Sequence, residues 1–178
     1  MNDTLQLIEQ LIAEHKVMNE KTTSIEKAAN DATLLKDLKE AKDSFVPGRF
    51  DQGKGVLGLQ EMLGAIHIWL DKHFNREETA LLSSVETTGD RKLVNTLKQL
   101  LDEHTNLRDR LAKSMGLVGE LAGGTLARHR WNSSANDIRA HINHTRKLLE
   151  SHAGKENVLF VELRRYFQAQ DRKEEKTP

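Results

Sequence analysis

The chain has 178 residues, no cysteine, and equal numbers of basic and acidic residues, 27 of each. That length suits one domain with its own core, and the balanced charge offers no field to hold nucleic acid or an anionic membrane. The missing thiols exclude disulfides, thiolate metal sites, iron-sulfur clusters and cysteine catalysis, so any metal must use imidazole and oxygen.

With two prolines and abundant Leu, Lys, Glu, Ala and Gln, the chain is expected to be helical almost throughout. Helix A starts near Asp3 and carries Leu5, Ile8, Ile12, His15, Met18, Thr22 and Ile25 on one stripe. A continuation over residues 33–44 leads into the loop FVPGRFDQGKG. Helix B, from about Val56 to Ser84, has the stripe Met62, Ile66, Trp69, His73, Glu77, Leu81. Helix C, from about Asp90 to Leu121, carries Leu93, Leu97, Leu101, His104, Leu111 and Met115, with Gly123 and Gly124 ending it. Ser134 is a candidate cap for helix D, whose stripe is Ile138, Ile142, Thr145, Leu149, His152, Glu156, Leu159, Leu163. Four long helices joined by modest loops predict an all-α, up-down-up-down bundle over residues 1–168, with a disordered tail over 169–178. Neither a leader sequence nor a run near the roughly 20 apolar residues of a membrane span is apparent, so a cytoplasmic protein is expected.

The chemistry lies in a pattern that recurs. His15 precedes His73-x-x-x-Glu77, and His104 precedes His152-x-x-x-Glu156. Residues four apart on a helix lie about 40° apart around the axis and about 6 Å along it, so an imidazole and a carboxylate can converge on one ion. In a chain this rich in Glu the spacing alone is weak, but all six residues fall on or within one residue of an apolar stripe. Six ionisable groups in one core need a reason, because burying an unpaired carboxylate costs several kcal/mol, and a bound dication supplies one. The donor set suits iron, manganese or zinc, and bridging carboxylates favour di-iron or di-manganese. Ferritin-like proteins are marked by Glu-x-x-His, and no Glu here has a His three residues later.

The segments EHKVMNEKT and HFNREETALL, then EHTNLRDRL and SHAGKENVLF, resemble the hemerythrin-like, or HHE cation-binding, domain family over nearly the whole chain. The resemblance implies that His15, His73, Glu77, His104, His152 and Glu156 ligate two iron ions, oxo- or hydroxo-bridged, with Glu77 and Glu156 spanning both. It implies reversible binding or sensing of dioxygen or nitric oxide. The alternatives are an oxidoreductase consuming peroxide, oxygen or nitric oxide, and iron delivery or iron-centre repair, with a redox or iron-accepting protein partner. One departure stands out: oxygen-carrying members of the family place a further His four residues after the first on the third helix, and here that position is Arg108. Either a coordination position stays open or another group fills it. His141 is a core-facing alternative better read as a satisfied histidine, while His67 and His144 point away from the site and His129 is uninformative. Glu14, Glu78 and Glu103 project off the stripes and are expected to be solvated surface charges, with Glu78 able to swap with Glu77. Phe74 is expected to shield the site, and Trp69 and Phe160 to fill the core.

Overall fold

The computed structural model describes residues 3–31, 54–122 and 128–174, all in helices apart from short turns. The elements are α1 (Asp3–Ala29), α2 (Lys54–Arg76), a π-helical segment (Glu77–Leu81), α3 (Leu82–Glu86), α4 (Arg91–Leu101), α5 (Glu103–Ala122) and α6 (Arg128–Glu174). They form four rods, since α2 runs through the π segment into α3, and α4 continues into α5 across the single residue Asp102. The α1 rod packs on α2 and α6, and α5 packs on the same two helices.

Two apolar clusters fix the directions of the rods. One joins the end of α1 (Met18, Ile25), the start of α2 (Leu59, Leu63), the end of α5 (Leu111, Val118) and the start of α6 (Ile138, Ile142). The other joins the start of α1 (Ile8, Leu11), the end of the second rod (Leu81, Val85), α4 (Leu93, Leu97) and the end of α6 (Leu159, Leu163). Successive rods therefore alternate in direction, and the expected up-down-up-down bundle is what forms. On α1 the buried residues Ile8, Leu11, His15, Met18, Thr22, Ile25 and Ala29 alternate steps of three and four. That 3.5-residue period matches the small crossing angles of a bundle.

Local expectations are corrected at several points. Leu11 rather than Ile12, and Leu100 rather than Leu101, take the buried positions, because the seam follows the 3.5 period and selects the residue nearer the axis of the bundle. Asp90, the residue before α4, accepts from the backbone N–H groups of Lys92 and Leu93 at 2.9 and 3.2 Å, an N-cap after the left-handed Gly89 (φ 69°). Ser134 caps nothing: it lies inside α6, which begins at Arg128. The last helix, α6, runs to Glu174, with Gln170 donating to Tyr166 Oη at 3.2 Å, and residues 175–178 of the expected tail lie outside the described residues. Residues 33–44, most of the following loop, Gly123 and Gly124 lie outside the described residues. No helix among those described is long and apolar enough to cross a membrane.

Candidate metal centre

Between the two apolar clusters lies a single polar layer. His15 sits between Leu11 and Met18 on α1, His104 between Leu100 and Leu107, His73 and Glu77 around Phe74, and His152 and Glu156 around Ala153. All six candidate ligands are therefore brought together, and each is 4 % exposed or less. Sequence position alone dictates this, since each residue continues an apolar stripe that must face the core.

The six residues divide into two quartets that share their carboxylates. His15, His73, Glu77 and Glu156 form one; His104, His152, Glu77 and Glu156 form the other, with ligand atoms within 4.8 Å of one another in each. Glu77 presents Oε1 to His73 Nε2 (3.4 Å) and to His15 Nε2 (3.9 Å), and Oε2 to His104 Nε2 (3.4 Å). Glu156 presents Oε2 to His15 Nε2 (3.1 Å), and Oε1 to His152 Nε2 (3.1 Å) and His104 Nε2 (3.6 Å). Each carboxylate thus has one oxygen toward each histidine pair, the disposition of a bridge.

The protonation of the rings is set from outside. The Nδ1 atoms of His73, His104 and His152 face carboxylate oxygens of Glu14 (2.7 Å), Glu78 (2.9 Å) and Glu103 (3.1 Å), to which an N–H must donate. His15 Nδ1 donates to Asn157 Oδ1 at 2.9 Å. With the protons on Nδ1, every Nε2 directs a lone pair inward. Yet His15 Nε2 lies 3.1 Å from His73 Nε2, and His104 Nε2 lies 3.0 Å from His152 Nε2. Among the described residues no side chain outside the six donates to the four oxygens of Glu77 and Glu156. Eight potential ligand atoms converge with no outside donor to satisfy them, an arrangement that protons shared within the layer or bound cations must reconcile. The donor set fits a pair of metal ions.

Without cations the layer holds protons itself: burial opposes the charge of His152, but the carboxylates of Glu156 and Glu103 raise it above the ordinary imidazole range. Burial pushes His73 down to about 4, despite the pull of Glu14. Burial, with the neighbouring Glu156 carboxylate adding to it, raises Glu77 well above the carboxylate range. Burial alone would also raise Glu156, but the imidazoles of His104, His15 and His152 hold it well below. Burial likewise opposes the ionisation of Glu14, Glu78 and Glu103, but each sits below the ordinary range because a cation and a histidine face it. The cations are Arg76 on Glu14 (2.6 Å), Arg108 on Glu78 (2.6 and 3.0 Å) and Lys155 on Glu103 (2.6 Å).

These three glutamates are not the solvated surface charges expected of them. A residue next to a core-facing one projects about 100° away, which in a tight bundle is toward the adjacent helix rather than toward water. Glu14 therefore reaches His73, Glu103 reaches His152, and Glu78 reaches His104. The sequence signal was the repeated Glu-His step, Glu14-His15 and Glu103-His104. Arg108 also turns out of the core, to Glu78 and to Asp71 (2.9 Å). His141 donates to the Arg110 carbonyl at 3.1 Å, as a satisfied histidine should. His144 is exposed and His67 half-buried, neither in a quartet; the side chain of His129 lies outside the described residues.

Aromatic rings wall the layer. Phe74 stacks on His104 with centroids 4.0 Å apart, Phe160 on His15 at 5.4 Å and Trp69 on His73 at 5.6 Å. The second rod also carries a π turn, Glu77–Leu81. Leu82 N–H donates to Glu77 O, five residues back, which widens the helix where Glu77 enters the site, a common placement of such turns. Its signal is the buried row His73, Glu77, Leu81, Val85. Steps of four drift about 40° each on an α-helix, so only a widened turn keeps all four inward.

A family model described as the hemerythrin HHE cation binding domain matches residues 6–163. No curated protein and no solved structure matches the chain.

Proposed function

The chain belongs to the hemerythrin HHE cation-binding family, and from that premise we propose that it is a non-haem di-iron protein that binds or senses dioxygen or nitric oxide. The observation that carries this reading is the pair of quartets sharing Glu77 and Glu156, with four imidazole lone pairs turned inward. His15 and His73 would hold one iron, His104 and His152 the other, and both carboxylates would span the two. A reduced di-iron pair supplies electrons to a small diatomic molecule. The chain's own residues fix the rings through their Nδ1 protons and exclude bulk water with Phe74, Phe160 and Trp69.

A second reading follows from the donor count. Four protein residues per ion, with Arg108 directed away, leave iron coordination positions for exogenous ligands, and open positions permit turnover of peroxide, oxygen or nitric oxide as well as carriage. Iron delivery or repair of another iron centre is the corresponding reading if the metal itself is what leaves.

Loading the metal-free protein anaerobically with ferrous iron, counting the metal and then admitting oxygen or nitric oxide separates these readings. Two irons and a coloured species that bleaches when the gas is removed support binding, whereas continued consumption of the gas or of peroxide supports an enzyme. Fewer than two irons per chain, or loading unchanged in His73→Ala and His152→Ala, would sink the di-iron reading.

A further inference from the structure

The centre has an internal twofold pattern that one corner breaks. His15 corresponds to His104, His73 to His152 and Glu77 to Glu156, and the outer partners follow the same relation: Glu14, just before His15, reaches His73, as Glu103, just before His104, reaches His152. Glu78, just after Glu77, reaches His104; its counterpart just after Glu156 is Asn157, which reaches His15. Three histidines therefore face a carboxylate that is itself paired with Arg or Lys, and His15 alone faces a neutral amide.

The same corner borders a groove, with Phe160 stacked on the buried His15. Around His104, Phe74 stacks on the ring and Arg108 closes over Phe74, its guanidinium carbon 5.2 Å from the ring centroid. The corresponding positions around His15 hold Ala153 and Asn19, and a groove of about 400 Å³ between α1 and α6 is lined by His15, Asn19, Ala153, Gly154 and Asn157. A Cβ added at Gly154 would meet nothing within 4 Å.

We propose that the ion held by His15 and His73 is the exchangeable one, bound more weakly than its neighbour and entering and leaving through this groove. A carboxylate behind an imidazole raises its basicity and fixes its orientation, and loss of such a partner typically costs 10–100-fold in metal affinity; an amide in that place supplies orientation without the charge. Phe160 stacks on His15, but Ala153 and Asn19, smaller than the ring and the arginine around His104, leave the groove beside it. The inference rests on the two-ion reading above.

The test uses cobalt(II) titrated into the full-length metal-free protein and followed by its visible absorption. The native protein is expected to fill in two resolved steps. Asn157→Glu should tighten the weaker step about tenfold and leave the tighter one unchanged; Glu14→Gln should weaken that same step, and Glu103→Gln the other. Circular dichroism of each variant confirms the fold. Gly154→Leu should slow the loss of one ion to an external chelator several-fold at unchanged affinities. Fewer than two ions in the native protein overturns the two-ion reading and this inference with it. Two ions in equal steps, or a weaker step indifferent to Asn157→Glu, overturns the inference alone, and unchanged release from Gly154→Leu overturns the route.

Discussion

Arg108 grips Glu78 through two nitrogens, at 2.6 and 3.0 Å, while Glu78 lies 2.9 Å from His104 Nδ1. Arg108, four residues after His104, therefore acts on the candidate centre from outside, through the carboxylate that faces His104. It occupies the boundary of the bundle, about a quarter exposed.

Arg108→His is accordingly expected to add no ligand. The shorter imidazole loses the two-nitrogen grip on Glu78, so metal capacity should stay the same while affinity at the His104 pair drops about tenfold. The thermal cost should be small, about 1 kcal/mol or less, because the network is partly exposed. A metal titration and a melting curve check both, and tighter binding in the variant would contradict the outward placement of Arg108.

Glu77→Gln should separate stability from metal binding. Unfolded, the Glu77 carboxyl titrates near the ordinary 4.5, whereas folded it titrates well above that because burial and the Glu156 carboxylate disfavour its charge. The folded state binds more protons between those two values, so Glu77 contributes its full stability below pH 4.5 and loses it as pH rises through the folded pKa. The metal-free Gln variant should therefore be more stable than the native protein at pH 7. That advantage should vanish toward pH 4.5, and the variant should no longer hold two ions. Denaturant titrations at pH 4.5 and 7 give the comparison, and a less stable variant at pH 7 would refute it.

Thr79 is exposed on the π turn. Deleting it should convert that turn to regular α-helix, moving Leu81 from eight residues after His73 to seven and keeping it within about 20° of the same face. The bundle is then expected to retain its helicity and melting temperature, while Glu77 and Glu78 shift against their histidines and metal loading drops. Circular dichroism and metal content are the two readouts; a deletion variant that unfolds, or one that still binds two ions, argues against this role for the widened turn.

Phe74 is fully buried and stacked on His104. Phe74→Ala should cost about 3–5 kcal/mol through the cavity it leaves, and Phe74→Leu much less. If Phe74 also keeps water from the His104 pair, the ferrous form of the Leu variant should oxidise faster in air than the native protein at equal metal loading. Equal oxidation rates would reduce Phe74 to a packing residue.

The chain by itself determined the helical class, the alternating bundle and the six residues of the polar layer, because a core must bury one stripe of each helix and His15, His73, Glu77, His104, His152 and Glu156 continue those stripes. Burial of a side chain on a stripe is a property of one helix, legible from its period. What Glu14, Glu78, Glu103, Asn157 and Arg108 do depends on the helix alongside: each projects about 100° from a core position, and only the neighbouring rod decides whether water or an imidazole meets it. The same holds for the groove beside His15, which exists because Ala153 and Asn19 from two different rods meet where Phe74 and Arg108 meet on the opposite side. Tertiary packing thus made four chemically similar histidines into three anchored by charge and one that is not.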